Sequence, residues 1–125
     1  MDSAETSIDV REAGAAVVVG LLGIHDIDSA DRIQVAFSAA VESRRPLLID
    51  LSGALLIDSI VLGLIITAHS RSERRGGEVI LVVDPDTTAP TVRNLLRVSR
   101  IASHIDTYSS QDAALRRLGV DPDDL

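Results

Sequence analysis

The chain has no cysteine, no lysine and no tryptophan, and its 125 residues include one phenylalanine and one tyrosine. Without cysteine there is no disulfide, no thiolate nucleophile and no thiol redox switch. Without lysine, Schiff-base chemistry and the lysine of a phosphate-gripping loop are excluded. The shortage of aromatics removes the stacking platforms on which single-stranded nucleic acids and sugars are held. His25, His69 and His104 lack any two-histidine ligand spacing, so no metal site and no cofactor is expected. Asp26 and Asp28 are explained by a turn and a helix cap rather than by a bound cation. No nucleophile-elbow motif surrounds Ser59, and catalysis is not expected. The longest apolar run, residues 60–68, is about half of what a membrane span needs. The acidic start lacks a basic segment leading into an apolar one, so no signal peptide is expected and the cytoplasm is the expected location.

What the chain does have is acid and aliphatic bulk. Nineteen Asp and Glu against twelve Arg give a net charge of −7, which repels nucleic acid and anionic membrane and favours protein partners. With 46% apolar residues, one domain with an aliphatic core is expected. Thr6 to Arg11 alternates Ile8 and Val10 with polar residues, an edge-strand pattern. Gly14 then turns the chain into a β-branched run, Ala15 to Leu22, that suits a buried strand. Ser29 to Ser43 carries a helical stripe of Ile33, Ala36, Phe37, Ala40 and Val41, with Asp28 or Ser29 as its cap. Leu47 to Leu51 and Glu78 to Val83 are apolar on both faces, as central parallel strands are.

Helices are further predicted over Ile60 to Arg74, stopped by Gly76-Gly77, over Pro90 to Val98, and over Gln111 to Leu118 behind a Ser109-Ser110 cap. Ile105 to Tyr108 is predicted as a short strand and His25 as a loop residue. Strands thus alternate with helices after an opening hairpin, the pattern of an α/β fold with a largely parallel sheet. Asp58-Ser59 stands out in this frame. It lies at the mouth of a greasy helix, where either residue can cap the free N–H groups and a serine is open to modification.

Four stretches carry a family resemblance: Gly23-Ile24-His25-Asp26, Asp50-Leu51-Ser52-Gly53, Asp58-Ser59-Ile60-Val61-Leu62-Gly63 and Arg75-Gly76-Gly77. By these the chain from about Thr6 to Leu118 resembles a STAS domain of the anti-sigma factor antagonist type. The resemblance implies a single α/β STAS-like domain, a mixed and mostly parallel sheet with an antiparallel edge strand, and about four helices. Residues 1–5 are then a flexible N-terminus, 6–119 the domain and 120–125 an acidic tail. It also implies a regulator that binds an anti-sigma factor with serine kinase activity and so frees a sigma factor. Phosphorylation at Ser59 would end that binding, and a PP2C-type phosphatase would restore it.

The partner-binding residues implied are Ile24, His25, Asp26, Ser52, Gly53, Asp58, Ser59, Ile60, Val61 and Leu62. Two positions depart from the family pattern. Ile60-Val61 stands where Ser/Thr-Gly is usual, and Ile24 stands where an acid is usual. A β-branched residue resists positive φ, so a stiffer junction after Ser59 is expected. The apolar edge around Ile24 is expected to serve a partner or a homodimer contact. The alternative function is a STAS interaction or scaffold module that works without phosphorylation.

Overall fold

The opening hairpin follows from one glycine. In the computed structural model, which describes residues 6–124, β1 (Ser7–Ala13) and β2 (Ala16–His25) pair antiparallel from Ala13↔Ala16 to Ser7↔Leu22. The turn between them needs positive φ at its first central residue, and Gly14 supplies it at +59°. Arg45 fastens the turn from outside by donating to the carbonyls of Gly14 and Ala15, at 3.0 Å each, and pairing with Glu12.

The rest of the sheet is parallel. β3 (Leu47–Asp50) lies on β2, β5 (Val79–Val82) on β3, and β6 (Thr107–Tyr108) on β5, giving the order β1-β2-β3-β5-β6. Helices α1 (Ile27–Glu42), α2 (Ser59–Arg74) and α3 (Pro90–Ser99) make the connections, and α4 (Gln111–Arg117) ends the domain. The doubly apolar strands are explained by what covers them. Val17, Val19 and Leu21, Leu47 and Ile49, and Val79 and Leu81 face the core under α1, α2 and α3. Val18, Leu48 and Ile80 lie in one register row on the other face, packed against Ala114 and Leu115 of α4. Two cores therefore share one sheet, but three helices guard one face and a seven-residue helix guards the other.

The structure corrects the sequence reading at the end of β2. A strand not anticipated, β4 (Ala54–Ile57), takes over from β3 beside β2, pairing Gly23↔Ala54, Ile24↔Leu56 and His25↔Ile57 with a bulge between. The tight turn at Leu51 to Gly53 only shifts the chain, with Ala54 N–H donating to the Leu51 carbonyl at 3.0 Å. Because β4 gives it a partner, β2 runs on to His25, which is a buried strand residue and not a loop residue. It follows that α1 starts at Ile27 and is capped by Asp26, not by Asp28 or Ser29. The strand expected from Ile105 is only Thr107–Tyr108, because Ile105 lies in the core outside the ladder. At the C-terminus Val120 packs on the second core, and a 3-10 turn at Pro122–Asp124 follows. The expectation for residues 1–5 falls outside the described residues.

Candidate functional site

The C-terminal ends of β2 and β4 and the N-termini of α1 and α2 come together at one end of the sheet. Two carboxylates organise it. Asp26 Oδ1 accepts from Asp28 N–H at 2.9 Å and starts α1. Asp58 Oδ1 accepts from Ile60 N–H at 3.1 Å and Val61 N–H at 3.0 Å and starts α2. The two starts are tied together, since Asp58 N–H donates to the His25 carbonyl at 3.3 Å.

Ser59 is the first helical residue of α2 and is exposed. Among the described residues its hydroxyl has no hydrogen-bond partner inside the protein, so Asp58 does all the capping and Ser59 is left uncommitted. Among the described residues no base is hydrogen-bonded to the serine. The nearby His25 is buried, and its Nε2 lies 2.9 Å from the Leu22 carbonyl and 3.1 Å from the Ser7 carbonyl. Two carbonyl acceptors place the proton on Nε2, and the buried Nδ1 has no hydrogen-bond partner among the described residues, so neither ring nitrogen is bonded to Ser59.

Beside this polar pair lies exposed aliphatic surface. Ile24 and Leu56 are neighbours across the β2–β4 ladder, 45% and 40% exposed. Leu22, Ile27, Leu55 and Ile60 are also open. Among the described residues no helix packs on this part of β2, since α4 covers the Val18, Leu48 and Ile80 row. Single exposed aliphatics are ordinary, but six around one sheet end form a surface suited to a protein partner.

Of the residues expected to touch a partner, Ile24, Asp26, Ser52, Gly53, Asp58, Ser59 and Ile60 reach this surface or its edge. His25, Val61 and Leu62 are buried, at 0%, 0% and 8% exposure, and lie beneath the face rather than on it. Ile60-Val61 puts no strain on the start of α2. Both residues are helical, and among the described residues the non-glycine positions with positive φ are Arg44 and Arg100, so this fold needs no glycine freedom here. Val61 instead fills the core between the sheet and α2. Leu22, Leu55 and Leu56 were missed because their exposure depends on β4, which the sequence pattern hid, and Ile27 because that pattern starts α1 only at Ser29.

The turn before β4 is held from two sides. Gly23 N–H donates to the Gly53 carbonyl at 3.0 Å, and a Cβ on Gly53 would lie 3.0 Å from Leu22 Cδ2. On the other side Asp50 accepts from Ser52 N–H at 2.9 Å through Oδ1 and from Gln111 Nε2 at 2.8 Å through Oδ2. Gln111 Oε1 in turn accepts from Arg11. A hydrogen-bond chain thus runs from the edge strand through α4 to the turn.

Among the described residues no group of three or more His, Asp or Glu side chains could hold a metal ion, and no helix is long and apolar enough to cross a membrane. The family model described as "Mlab, STAS domain" matches residues 8–106. Among solved structures, an anti-sigma factor antagonist from Mycobacterium paratuberculosis superposes with a TM-score of 0.80, at 21% identity over 92% of this chain and 95% of that one. An anti-sigma-factor antagonist (STAS) domain protein from Planctomyces limnophilus gives 0.74, at 22% identity over 90% and 97%. The Bacillus cell fate determinant SpoIIAA in its phosphorylated form gives 0.69, at 19% identity over 90% and 99%. At such identities the likeness establishes a shared fold.

Proposed function

From the premise that this chain belongs to the STAS domain family, we propose that it is an anti-sigma factor antagonist. In this reading it binds an anti-sigma factor that is also a serine kinase, frees a sigma factor, and is switched off by phosphorylation at Ser59. It acts as a binding module in the cytoplasm rather than as an enzyme, and a PP2C-type phosphatase resets it.

The observation that carries the proposal is the state of Ser59. It is exposed, its hydroxyl is uncommitted, and it sits on a helix start that Asp58 caps without its help, beside exposed Ile24, Leu56 and Ile60. A phosphate there would meet the positive end of the α2 dipole, so the helix tolerates it, while the aliphatic surface around it does not. The phosphorylated form of SpoIIAA, which shares the fold, lends support.

Incubation with the kinase that it binds and ATP is expected to add one phosphate, found on Ser59 by peptide mass spectrometry. Ser59→Ala should keep binding and Ser59→Asp should lose it. An unmodified Ser59 in a stable kinase complex would overturn the proposal. The second reading, a STAS interaction or scaffold module without a phospho-switch, is favoured by the aliphatic Ile24 and Ile60, whose contribution to an interface owes nothing to Ser59. It predicts a partner whose affinity Ser59→Asp leaves unchanged. A homodimer through the same aliphatic face would show as a concentration-dependent mass in sedimentation.

A further inference from the structure

α3 carries a charge pattern that the Ser59 face does not use. From Thr87 to Ile105 the sequence holds three arginines and one histidine but no Asp or Glu, in a chain that has nineteen acids and a net charge of −7. Those arginines are Arg93, Arg97 and Arg100. At 100° per residue they fall within about 60° of arc, and all are exposed, while Val92 and Leu96 turn into the core. Thr91, on the flank of α3 away from the arginines, donates to the Leu55 carbonyl of β4 at 2.8 Å, so the ridge points away from the aliphatic face.

None of the three has an ion-pair partner among the described residues. Arg45, Arg71 and Arg117, in contrast, face Glu12, Glu42 and Glu78. Arg93 Nε donates to the Thr88 carbonyl at 3.1 Å and Arg97 Nη2 to Asn94 Oδ1 at 2.6 Å. These bonds orient the guanidinium groups and neutralise neither.

Arg100 closes the ridge. It ends α3 in the left-handed conformation, φ 58° and ψ 30°, a position that glycine fills without steric cost. The conformation is strained for an arginine but does not by itself mark a contact, since Arg44 holds it off the ridge; what Arg100 adds is a third exposed guanidinium at the end of α3.

We propose that the Arg93–Arg97–Arg100 ridge is a second docking surface, separate from the Ser59 face, and that it takes a short acidic segment of a protein partner. Guanidinium forks bind carboxylates in pairs, and three of them on adjacent turns match Glu or Asp side chains repeated along one face of a peptide. Charge selects the occupant. A nucleic acid or an anionic bilayer extends far past the ridge and meets the net −7 of the whole chain. A short peptide interacts mainly with charges within a Debye length, about 8 Å at physiological salt.

The test titrates the full chain into a fluorescein-labelled Glu-rich peptide, read by anisotropy at low and physiological salt, with single-stranded DNA and phosphatidylserine vesicles in parallel. The peptide is expected to bind, with amide shifts confined to the α3 segment. Arg93→Glu/Arg97→Glu should weaken binding about tenfold or more. Arg100→Gly should weaken it several-fold while the melting temperature holds or rises. Arg44→Gly relieves the same backbone conformation off the ridge, and it should leave binding unchanged. Ser59→Asp should do likewise, which separates this surface from the proposed switch. No peptide binding at low salt, binding indifferent to the double reversal, or binding of DNA or vesicles in place of the peptide would overturn the proposal. A fall in melting temperature with Arg100→Gly would overturn the strain argument.

Discussion

Replacing Asp58 by alanine or asparagine separates the two things its carboxylate does. Oδ1 accepts from the N–H groups of Ile60 and Val61, and the negative charge faces the positive end of the α2 dipole. Alanine removes both. Loss of an N-cap acceptor costs about 1 kcal/mol and loss of the charge about 0.5 kcal/mol, so Asp58→Ala should destabilise the fold by roughly 1.5 kcal/mol. Asparagine keeps the acceptor and should cost only the charge component, roughly 0.5 kcal/mol, a deficit that shrinks in high salt. Urea denaturation followed by circular dichroism reads both as shifts in midpoint at unchanged slope. In a phosphorylation assay with the proposed kinase, Asp58→Ala should slow modification of Ser59, because the cap fixes the turn that presents it, and Asp58→Asn should not. If asparagine proved as damaging as alanine, the bonds to Ile60 and Val61 would not be what holds the turn, and the reasoning about an uncommitted Ser59 would fall with them.

Three further outcomes follow from the same geometry. Gln111→Ala leaves Asp50 Oδ2 and Arg11 without their shared partner and should cost about 1–2 kcal/mol, with faster hydrogen exchange at the Ser52 amide as the local readout. Val61→Gly installs the residue usual in the family, but Val61 is fully buried within α2; lost burial and lower helix propensity should together cost about 2–3 kcal/mol in thermal or chemical denaturation. His25→Leu keeps the volume but strips the donor shared by the Leu22 and Ser7 carbonyls, and a loss of about 1–3 kcal/mol, with the start of β1 loosened in hydrogen exchange, is expected.

The fold was legible wherever one signal dominated a segment. The stripe from Ile33 to Val41 and the doubly apolar runs at Leu47 and Val79 each had one structural solution, and α1, β3 and β5 formed there. Asp58-Ser59 was legible for the same reason, since capping is decided within three residues. β4 was not. Four apolar residues between a Ser-Gly turn and a greasy helix carry no period of their own, and their pairing with Gly23 to His25 is set by a contact some thirty residues away in sequence. The misreading of His25 and of the α1 cap, and the missed exposure of Leu22 and Leu56, all descend from that one absent strand.

The electrostatics of the sheet end also decide what kind of switch a phosphate at Ser59 could be. Ordering a new conformation needs a cation to receive the phosphate oxygens, commonly arginine. Here the caps of both adjoining helices are acidic, Asp58 on the same helix and Asp26 on the helix tied to it. Among the described residues no arginine lies in the first turn of α1 or α2; Arg71, Arg74 and Arg75 are at the far end of α2, Arg44 and Arg45 follow α1, and Arg93, Arg97 and Arg100 line α3. The α2 dipole contributes at most about 1 kcal/mol at an exposed site, and two carboxylates oppose it, so the modified chain gains no new internal contact and keeps its fold. The effect must fall on the interface. A charge of nearly −2 covered by a partner against Ile24, Leu56 and Ile60 would be desolvated without a counter-charge from this side. An uncompensated buried charge costs about 3–5 kcal/mol, which is a loss of affinity of more than a hundredfold. Release by desolvation therefore requires the partner to offer no arginine or lysine opposite Ser59. Placing one there should convert the phosphorylated chain from a poor binder into a good one.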